Sequence, residues 1–298
     1  MYVNDWNQPV MRILYPFAKR FIAGPDLTTA LPAIRRVRKA GFFSSIDILG
    51  ESITTRQQVE IAKSEYFRLF ESLSSIHETF DFSIKLSQLG LEIDNDLCAE
   101  NLKHLAQALG NNTIRLDMEG SNHTQETLDI CEKVHKSHPQ VGQAIQAYLL
   151  RSENDVQNFI NHGISVRLCK GAYKEPPEVA LQNMDDIRAN FLKLARKLLK
   201  DGFQPAIATH DEYLLLDLLE FIQQEKIDPE SFYFEMLYGV RRDLQKILKD
   251  KGYRMRIYTP YGNSWLPYTL RRLTEKKENL RFVITQLFRE TFGLRKLN

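Results

Sequence analysis

Short apolar runs alternate with segments of helical spacing along this chain from about residue 41 to its end. Eight runs read as strands: Phe42–Leu49, Phe82–Leu86, Thr113–Met118, Val141–Leu149, Ser165–Cys169, Pro205–Thr209, Phe232–Leu237 and Arg254–Tyr258. Between them, Val59, Ala62, Tyr66, Leu69, Leu73 and Ile76 step by three and four, the spacing of one buried helix face. Ile187, Phe191, Leu194 and Leu198 repeat the pattern, and Gly202 sits where such a helix ends. Asp211 is placed to cap a helix carrying Leu214, Leu215, Leu218, Leu219 and Ile222.

Eight β–α alternations over residues 41–298 fit the roughly 250 residues of a (β/α)8 barrel. A doubly wound open sheet is the competing arrangement, but it brings a glycine-rich dinucleotide turn after its first strand. Here the first strand runs into Asp47-Ile48-Leu49-Gly50-Glu51-Ser52, with no GxGxxG. Residues 1–40 do not fit the repeat. They read as an N-terminal arm of two or three short helices, broken at Pro9, Gly24-Pro25 and Pro32 and packed on the outside or bottom of the barrel domain.

Composition narrows the class. The chain is 43% hydrophobic and 26% charged, enough apolar material for a sizeable core. Its formal charge of +2 and the lack of a basic arm speak against nucleic acid as a partner. The run Arg35-Arg36-Val37-Arg38-Lys39 reads as a solvated helix face, with anionic lipid as a weaker alternative. Cys98, Cys131 and Cys169 are odd in number and widely spaced, which favours a reducing compartment over a disulfide scaffold. The N-terminus has no secretory pattern and no segment approaches about 18 uninterrupted apolar residues. A cytoplasmic protein is expected, with peripheral attachment at the inner membrane face left open.

The strand ends carry the chemistry. Strand two ends in Lys85, strand three in Asp117 and Glu119, and strand four in Gln146. Strand five ends in Arg167 and Lys170, strand six in Thr209-His210-Asp211, strand seven in Glu235-Met236-Leu237 and strand eight in Tyr258. A strand that ends on a cation reaching solvent is ordinary when met once. In a barrel all these positions converge on one face, where such enzymes place their active sites. After strand five, Gly171 lets backbone N–H groups approach a ligand closely.

After strand eight, Asn263 or Ser264 can cap a helix in which Pro267 falls in the first turn. Tyr268 then precedes Arg271 and Arg272 by one turn, and Glu275 follows Arg271 by another. Two guanidinium forks at the mouth of a site point to a carboxylate or phosphate ligand. An exposed Arg-Arg pair with an i,i+4 salt bridge is the plain alternative. His135 and His138 lack partners of metal-ligand spacing and read as surface residues, and Cys169 reads as packing.

These motifs resemble the proline dehydrogenases, flavoenzymes that oxidise L-proline, in their short single-function bacterial form. The resemblance runs from about Asp47 to Glu275. It rests on FSIKLSQLGL around Lys85, RLDMEGS around Asp117, QAYL at Gln146, RLCKGAY at 167–173, ATHD at 208–211, FEMLYG at 234–239 and YTPYGNSWLPYTLRRLTE at 258–275. It implies a distorted (β/α)8 barrel with the final helix over the mouth and non-covalent FAD at the C-terminal ends of the strands.

Carried over residue by residue, the resemblance gives Arg271 and Arg272 the proline carboxylate, helped by Lys85. Tyr258, Leu237 and Tyr268 would pack around the ring, and Asp117 would lie near flavin and amine. Arg167 would approach the reactive nitrogen of the flavin, and Gln146 would hydrogen-bond its ring. Lys170, Gly171, Ala172, Thr209 and His210 would hold the remaining parts of the cofactor, with Glu275 near its adenosine end. Many relatives have tryptophan after KGAY where this chain has Lys174, which puts one flavin-side contact in doubt. The implied product is 1-pyrroline-5-carboxylate, passed to a separate pyrroline-5-carboxylate dehydrogenase, and the implied electron acceptor is a membrane quinone.

Two other readings remain. Lys85 or Lys170 at a barrel strand end could form a Schiff base, as in barrel aldolases, with the twin arginines on a phosphate. A barrel without activity, serving as a scaffold, is the third, though every candidate site residue is present.

Overall fold

A computed structural model describes residues 15–50, 52–76 and 78–274. Glu275, the Pro9 break and the amphipathic C-terminal stretch Phe282 to Leu297, which the sequence offers beside residues 35–39 as a candidate for membrane contact, lie outside the described residues.

Eight parallel strands close in sequence order into a barrel. They are β1 (Phe43–Ile48), β2 (Asp81–Ile84), β3 (Thr113–Leu116), β4 (Val141–Gln146), β5 (Val166–Cys169), β6 (Ala206–Ala208), β7 (Tyr233–Leu237) and β8 (Met255–Tyr261). Closure is made by β8 on β1, in register from Phe43 opposite Arg256 to Ile48 opposite Tyr261. Helix α1 (Leu27–Lys39) precedes the barrel. One helix follows each strand: α2 (Arg56–Leu73), α3 (Asn95–Gln107), α4 (Thr124–His135), α5 (Ser152–Asn161), α6 (Met184–Asp201), α7 (Glu212–Gln224), α8 (Arg242–Asp250) and α9 (Trp265–Thr274).

Each strand alternates strictly, and the two faces do different work. Ile46, Phe82, Ile84, Ile114, Leu116, Val166, Leu168, Ile207, Phe234 and Ile257 face the helices and form one apolar core with them. The inward positions are polar instead of the branched apolar layers usual inside such barrels. Ser45, Asp81, Ser83, Arg115, Arg167, Glu235 and Arg256 are all buried there. The guanidinium of Arg167 meets Glu235 at 2.7 Å, Asp81 at 3.3 Å and the hydroxyls of Ser45 and Ser83 at 2.8 and 2.7 Å. Gly142, Ala144, Ala206 and Ala208 supply the small inward positions that leave room for these long side chains. Buried charges survive only when paired, and this floor pairs them.

The N-terminal region departs from expectation in two ways. Helix α1 runs through Pro32 without breaking. A proline inside a helix costs about 3 kcal/mol; here an Asp26–Thr29 capping box starts the helix, and Ala30, Ala33 and Ile34 bury against the barrel. Residues 15–24 run along the mouth, not the bottom: Ala18, Phe21 and Ile22 pack on Trp265 and Tyr268 of α9. The Ala23 N–H donates to the Pro260 carbonyl at 2.8 Å, and the Gly262 N–H to Gly24 at 3.1 Å. Gly239, with φ +75°, lies against this segment; a Cβ there would stand 1.7 Å from the Arg20 carbonyl oxygen. Helix α9 lies over the mouth, and α1 packs against β1 and β8 on the outside.

Candidate active site

The C-terminal ends of the strands and α9 enclose a cavity of about 1490 Å³. It is roomier than the ~300–1,000 Å³ of an ordinary ligand pocket, as a dinucleotide plus a small substrate requires. Lys85, Asp117, Gln146, Arg167, Lys170, Gly171, Ala172, Thr209, His210, Leu237, Tyr258, Tyr268, Arg271 and Arg272 all line it. Of the site residues singled out from the sequence, Glu275 falls outside the described residues.

Asp117 is the centre of the charged wall. Its Oδ1 accepts from Arg167 at 2.6 Å, and its Oδ2 accepts from the Tyr258 hydroxyl at 2.7 Å and from Lys85 Nζ at 3.4 Å. Lys85 also donates to Asp47 Oδ1 at 2.8 Å. The Arg167 guanidinium lies 5.3 Å from the Tyr258 ring centre. Burial alone would lower the pKa of Lys85, but Asp47 and Asp117 outweigh it and hold the ammonium well above the usual lysine range. Burial pulls Arg167 down as well, and Glu235, Asp117 and Asp81 together hold it above its ordinary value. Burial, followed by the charges of Asp117 and Asp47, pushes the Tyr258 hydroxyl well up, so it stays a donor.

The ion pairing of both lysines argues against the Schiff-base alternative. An amine nucleophile must be neutral, and Lys85 is locked as an ammonium between two carboxylates. Lys170 is tied to Asp211 at 2.8 Å. Burial pushes the Cys169 thiol up to about 12, which fits packing and not nucleophilic attack.

The other half of the cavity is built for an extended ligand with anionic and amide groups. Gln146 is buried, and its Oε1 has no hydrogen-bond partner among the described residues. Such a bare acceptor suits the ring N–H of a flavin. Lys170 and Arg188 both reach Asp211, Arg188 Nε at 2.9 Å, and place two cations on one wall. His210 Nε2 accepts the Leu237 N–H at 2.8 Å, which leaves the proton of a neutral ring on Nδ1. Gly171 has φ +121°, and a Cβ there would sit 2.4 Å from the Tyr148 ring; only glycine fits. The loop that follows is fastened by Glu175, whose carboxylate accepts the Ser121 N–H at 2.8 Å.

Two residues of the site escaped the sequence reading, and the cation-binding role of a third was not read. Asp47 has the inward parity of Ser45 two residues earlier, the signal that could have singled it out. Asp211 was expected as a helix cap and as part of the strand-six end at the mouth; it accepts the Tyr213 N–H at 3.2 Å and also binds both cations. Arg188 follows a buried helix position and carried no signal beyond its charge.

Comparison with known proteins agrees with this geometry. The family model described as "Proline dehydrogenase" matches residues 30–285. Proline dehydrogenase 2 of Bacillus subtilis (strain 168) is 34% identical over 267 residues, covering 89% of this chain and 88% of that protein. Proline dehydrogenase of Deinococcus radiodurans is 34% identical over 281 residues, with 91% and 90% covered. Among solved structures, proline utilization A from Bdellovibrio bacteriovorus inactivated by N-propargylglycine superposes with a TM-score of 0.82 at 24% identity. That match covers 91% of this chain and 34% of the longer one, and it bears on the fold alone.

Proposed function

The chain belongs to the proline dehydrogenase family and is a flavin oxidoreductase that oxidises proline; from that premise we propose how its cavity does so. Gln146, Lys170, Gly171, Ala172, Thr209, His210 and Arg188 would hold FAD non-covalently, with Glu275 near its adenosine end. When bound, the flavin supplies the two-electron acceptor for the hydride that leaves the proline carbon next to nitrogen.

Arg271, Arg272 and Lys85 bind the proline carboxylate. Tyr258, Leu237 and Tyr268 pack against the ring and exclude water. Holding the substrate at one end by fixed cations orients the other end, and such positioning supplies much of a catalyst's advantage. Arg167 would stabilise the negative charge that the bound flavin gains as it accepts the hydride. Its own charge is fixed by Glu235, Asp117 and Asp81. The nitrogen lone pair closes the C=N bond as hydride leaves, so the amine must be unprotonated beforehand. Loss of the remaining N–H proton then gives 1-pyrroline-5-carboxylate, which a separate dehydrogenase consumes.

The observation that supports this reading best is the lining of one cavity by Lys85, Asp117 and Arg167 on one side and by Arg271 and Arg272 on the other. The test is anaerobic addition of L-proline to the purified holoprotein. Bleaching of the flavin absorbance is expected; a fully loaded protein that stays oxidised in excess proline would sink the substrate assignment.

Electrons pass on to a quinone, which requires weak, reversible contact with a bilayer surface. No helix among the described residues is long and apolar enough to cross a membrane. The basic run on α1 is a poor anchor. It ends just before β1, remote from the cavity, and Arg38 is committed to Glu78 and the Phe42 carbonyl. Flotation with anionic vesicles and a short-chain quinone assay test this step. A reduced enzyme that never co-floats and turns over only with soluble carriers would remove it.

A further inference from the structure

Asp47 ends the inward face of β1, is 1% exposed, and lines the cavity. Its Oδ1 accepts from Lys85 Nζ at 2.8 Å, and its Oδ2 has no hydrogen-bond partner among the described residues. The other polar groups around it are spent elsewhere. The single proton of the Tyr258 hydroxyl goes to Asp117 at 2.7 Å, that of Tyr66 goes to Gln88 at 2.6 Å, and Tyr261 points to Glu65 at 3.5 Å. Asp117 is itself a carboxylate and offers no proton. Lys85 is therefore the main donor to Asp47, with the Tyr258 hydroxyl, committed to Asp117, adding a weaker pull.

An ammonium carries three N–H donors. Asp47 takes one at 2.8 Å and Asp117 a second at 3.4 Å, so the shorter of the two bonds comes from a residue that no substrate contact requires. The third donor is left for the cavity. A four-carbon stem has many rotamers, and a fixed second-layer acceptor is what turns such a side chain into a directed contact. We propose that Asp47 is a positioning residue for proline oxidation, acting through Lys85 by fixing its ammonium so that the third N–H meets the substrate carboxylate. This rests on the reading of Lys85 as a carboxylate ligand given above.

The proposal predicts a sign that simple electrostatics reverses. Neutralising Asp47 removes an anion from the neighbourhood of an anionic ligand, so a purely electrostatic role would make carboxylate binding tighter. A positioning role makes it weaker. The probe is tetrahydrofuran-2-carboxylate, which has the ring and carboxylate of proline but no amine to titrate or oxidise. Its Kd is measured on the oxidised holoenzyme from the flavin difference spectrum, alongside KM and kcat for proline, FAD content and Tm.

In Asp47→Asn the Kd and the proline KM should both rise about tenfold or more, the loss that accompanies a misaligned charged hydrogen bond. Asp47→Glu keeps the charge, moves the oxygens by one methylene and should weaken the probe too, which covers the case in which the asparagine variant does not fold. In a Lys85→Ala background, Asp47→Asn should no longer weaken binding, because two residues that act through one contact are not additive. An unchanged or lower Kd in Asp47→Asn overturns the proposal, as does a weakening that persists without Lys85. If Lys85→Ala alone leaves the probe's Kd untouched, the reading of Lys85 fails and this inference falls with it.

Discussion

The Tyr258 hydroxyl on β8 donates to Asp117 Oδ2 beyond the end of β3 at 2.7 Å, spanning the mouth of the barrel. The same carboxylate takes Arg167 at 2.6 Å on its other oxygen. Tyr258, whose ring lies 5.3 Å from the Arg167 guanidinium, is thus held by a group that also fixes that guanidinium. Removing the hydroxyl loosens both at once.

Tyr258→Phe should therefore lower kcat/KM for proline with little effect on FAD content. A hydrogen bond to a charged group is worth about 1.5–3 kcal/mol, or on the order of 10–100-fold in rate. Steady-state kinetics and the ratio of flavin to protein absorbance decide it. Wild-type kinetics would show that the bond plays no part in turnover.

Arg271→Ala and Arg272→Ala should each reduce kcat/KM for proline by on the order of 100-fold or more, since losing one partner of a buried ion pair costs about 3–5 kcal/mol. Lysine should rescue either position poorly, because it lacks the planar fork. FAD content should stay near normal in all four variants. If both alanine variants oxidise proline normally, the substrate carboxylate lies elsewhere.

Much of this was legible in the sequence, for identifiable reasons. Strand existence followed from short apolar runs between turn residues, and the site followed from the polar residue that ends each run. Boundaries were less legible: Leu149 and Thr209 were expected within strands that end at Gln146 and Ala208, because apolar and β-branched residues continue past those ends, where Ala147, Tyr148 and Thr209 still donate to the carbonyls of Cys169, Lys170 and Glu235. Pro32 was expected to break a helix that tertiary burial of Ala30, Ala33 and Ile34 sustains. The ionic floor was harder. Asp81, Arg115 and Arg256 are far apart in sequence, and only barrel closure brings Arg256 to 3.7 Å from Asp81.

Gly239→Ala tests how the N-terminal segment is held. The position has φ +75°, and a Cβ would collide with the Arg20 carbonyl, which is backbone and cannot rotate away. Residues 15–24 should be displaced from α9, since Phe21 and Ile22 pack on Trp265 and Tyr268. Protease cleavage within 15–24 should become faster, and the proline KM should rise as the arginine-bearing helix loses its backing. Gly252→Ala is the control, with φ +89° but nothing within 4 Å of the added Cβ. Equal behaviour of the two variants would assign the effect to backbone strain alone.

The pH profile should rise and then stay level, without an alkaline descent below about pH 10. Turnover needs an unprotonated amine, which gives the rise. Descent would require Lys85 to lose its proton or Tyr258 to ionise, and both are held well above their ordinary values of 10.5 and 10.0. For Lys85, whose folded pKa is raised, the stabilising charge is fully present below the unfolded value and is lost only as pH climbs through the higher folded one. Asp81 has the opposite sign. Burial would raise it, but Arg256, Arg115 and Arg167 hold it well below the usual carboxylate range, so its contribution is present above the unfolded value and lost only as pH falls through the lower folded one. Burial pushes the carboxyls of Asp47 and Glu235 up, so their charges are lost before that of Asp81 on acidification; activity lost between about pH 6 and 5 should still return on neutralisation, because Asp81 keeps its arginines paired. Rate measurements from pH 5 to 10 with matched re-assays at neutral pH would show this. A descending limb near pH 8 or 9 would mean that Lys85 or Tyr258 titrates in the working range and that the charged wall is arranged differently.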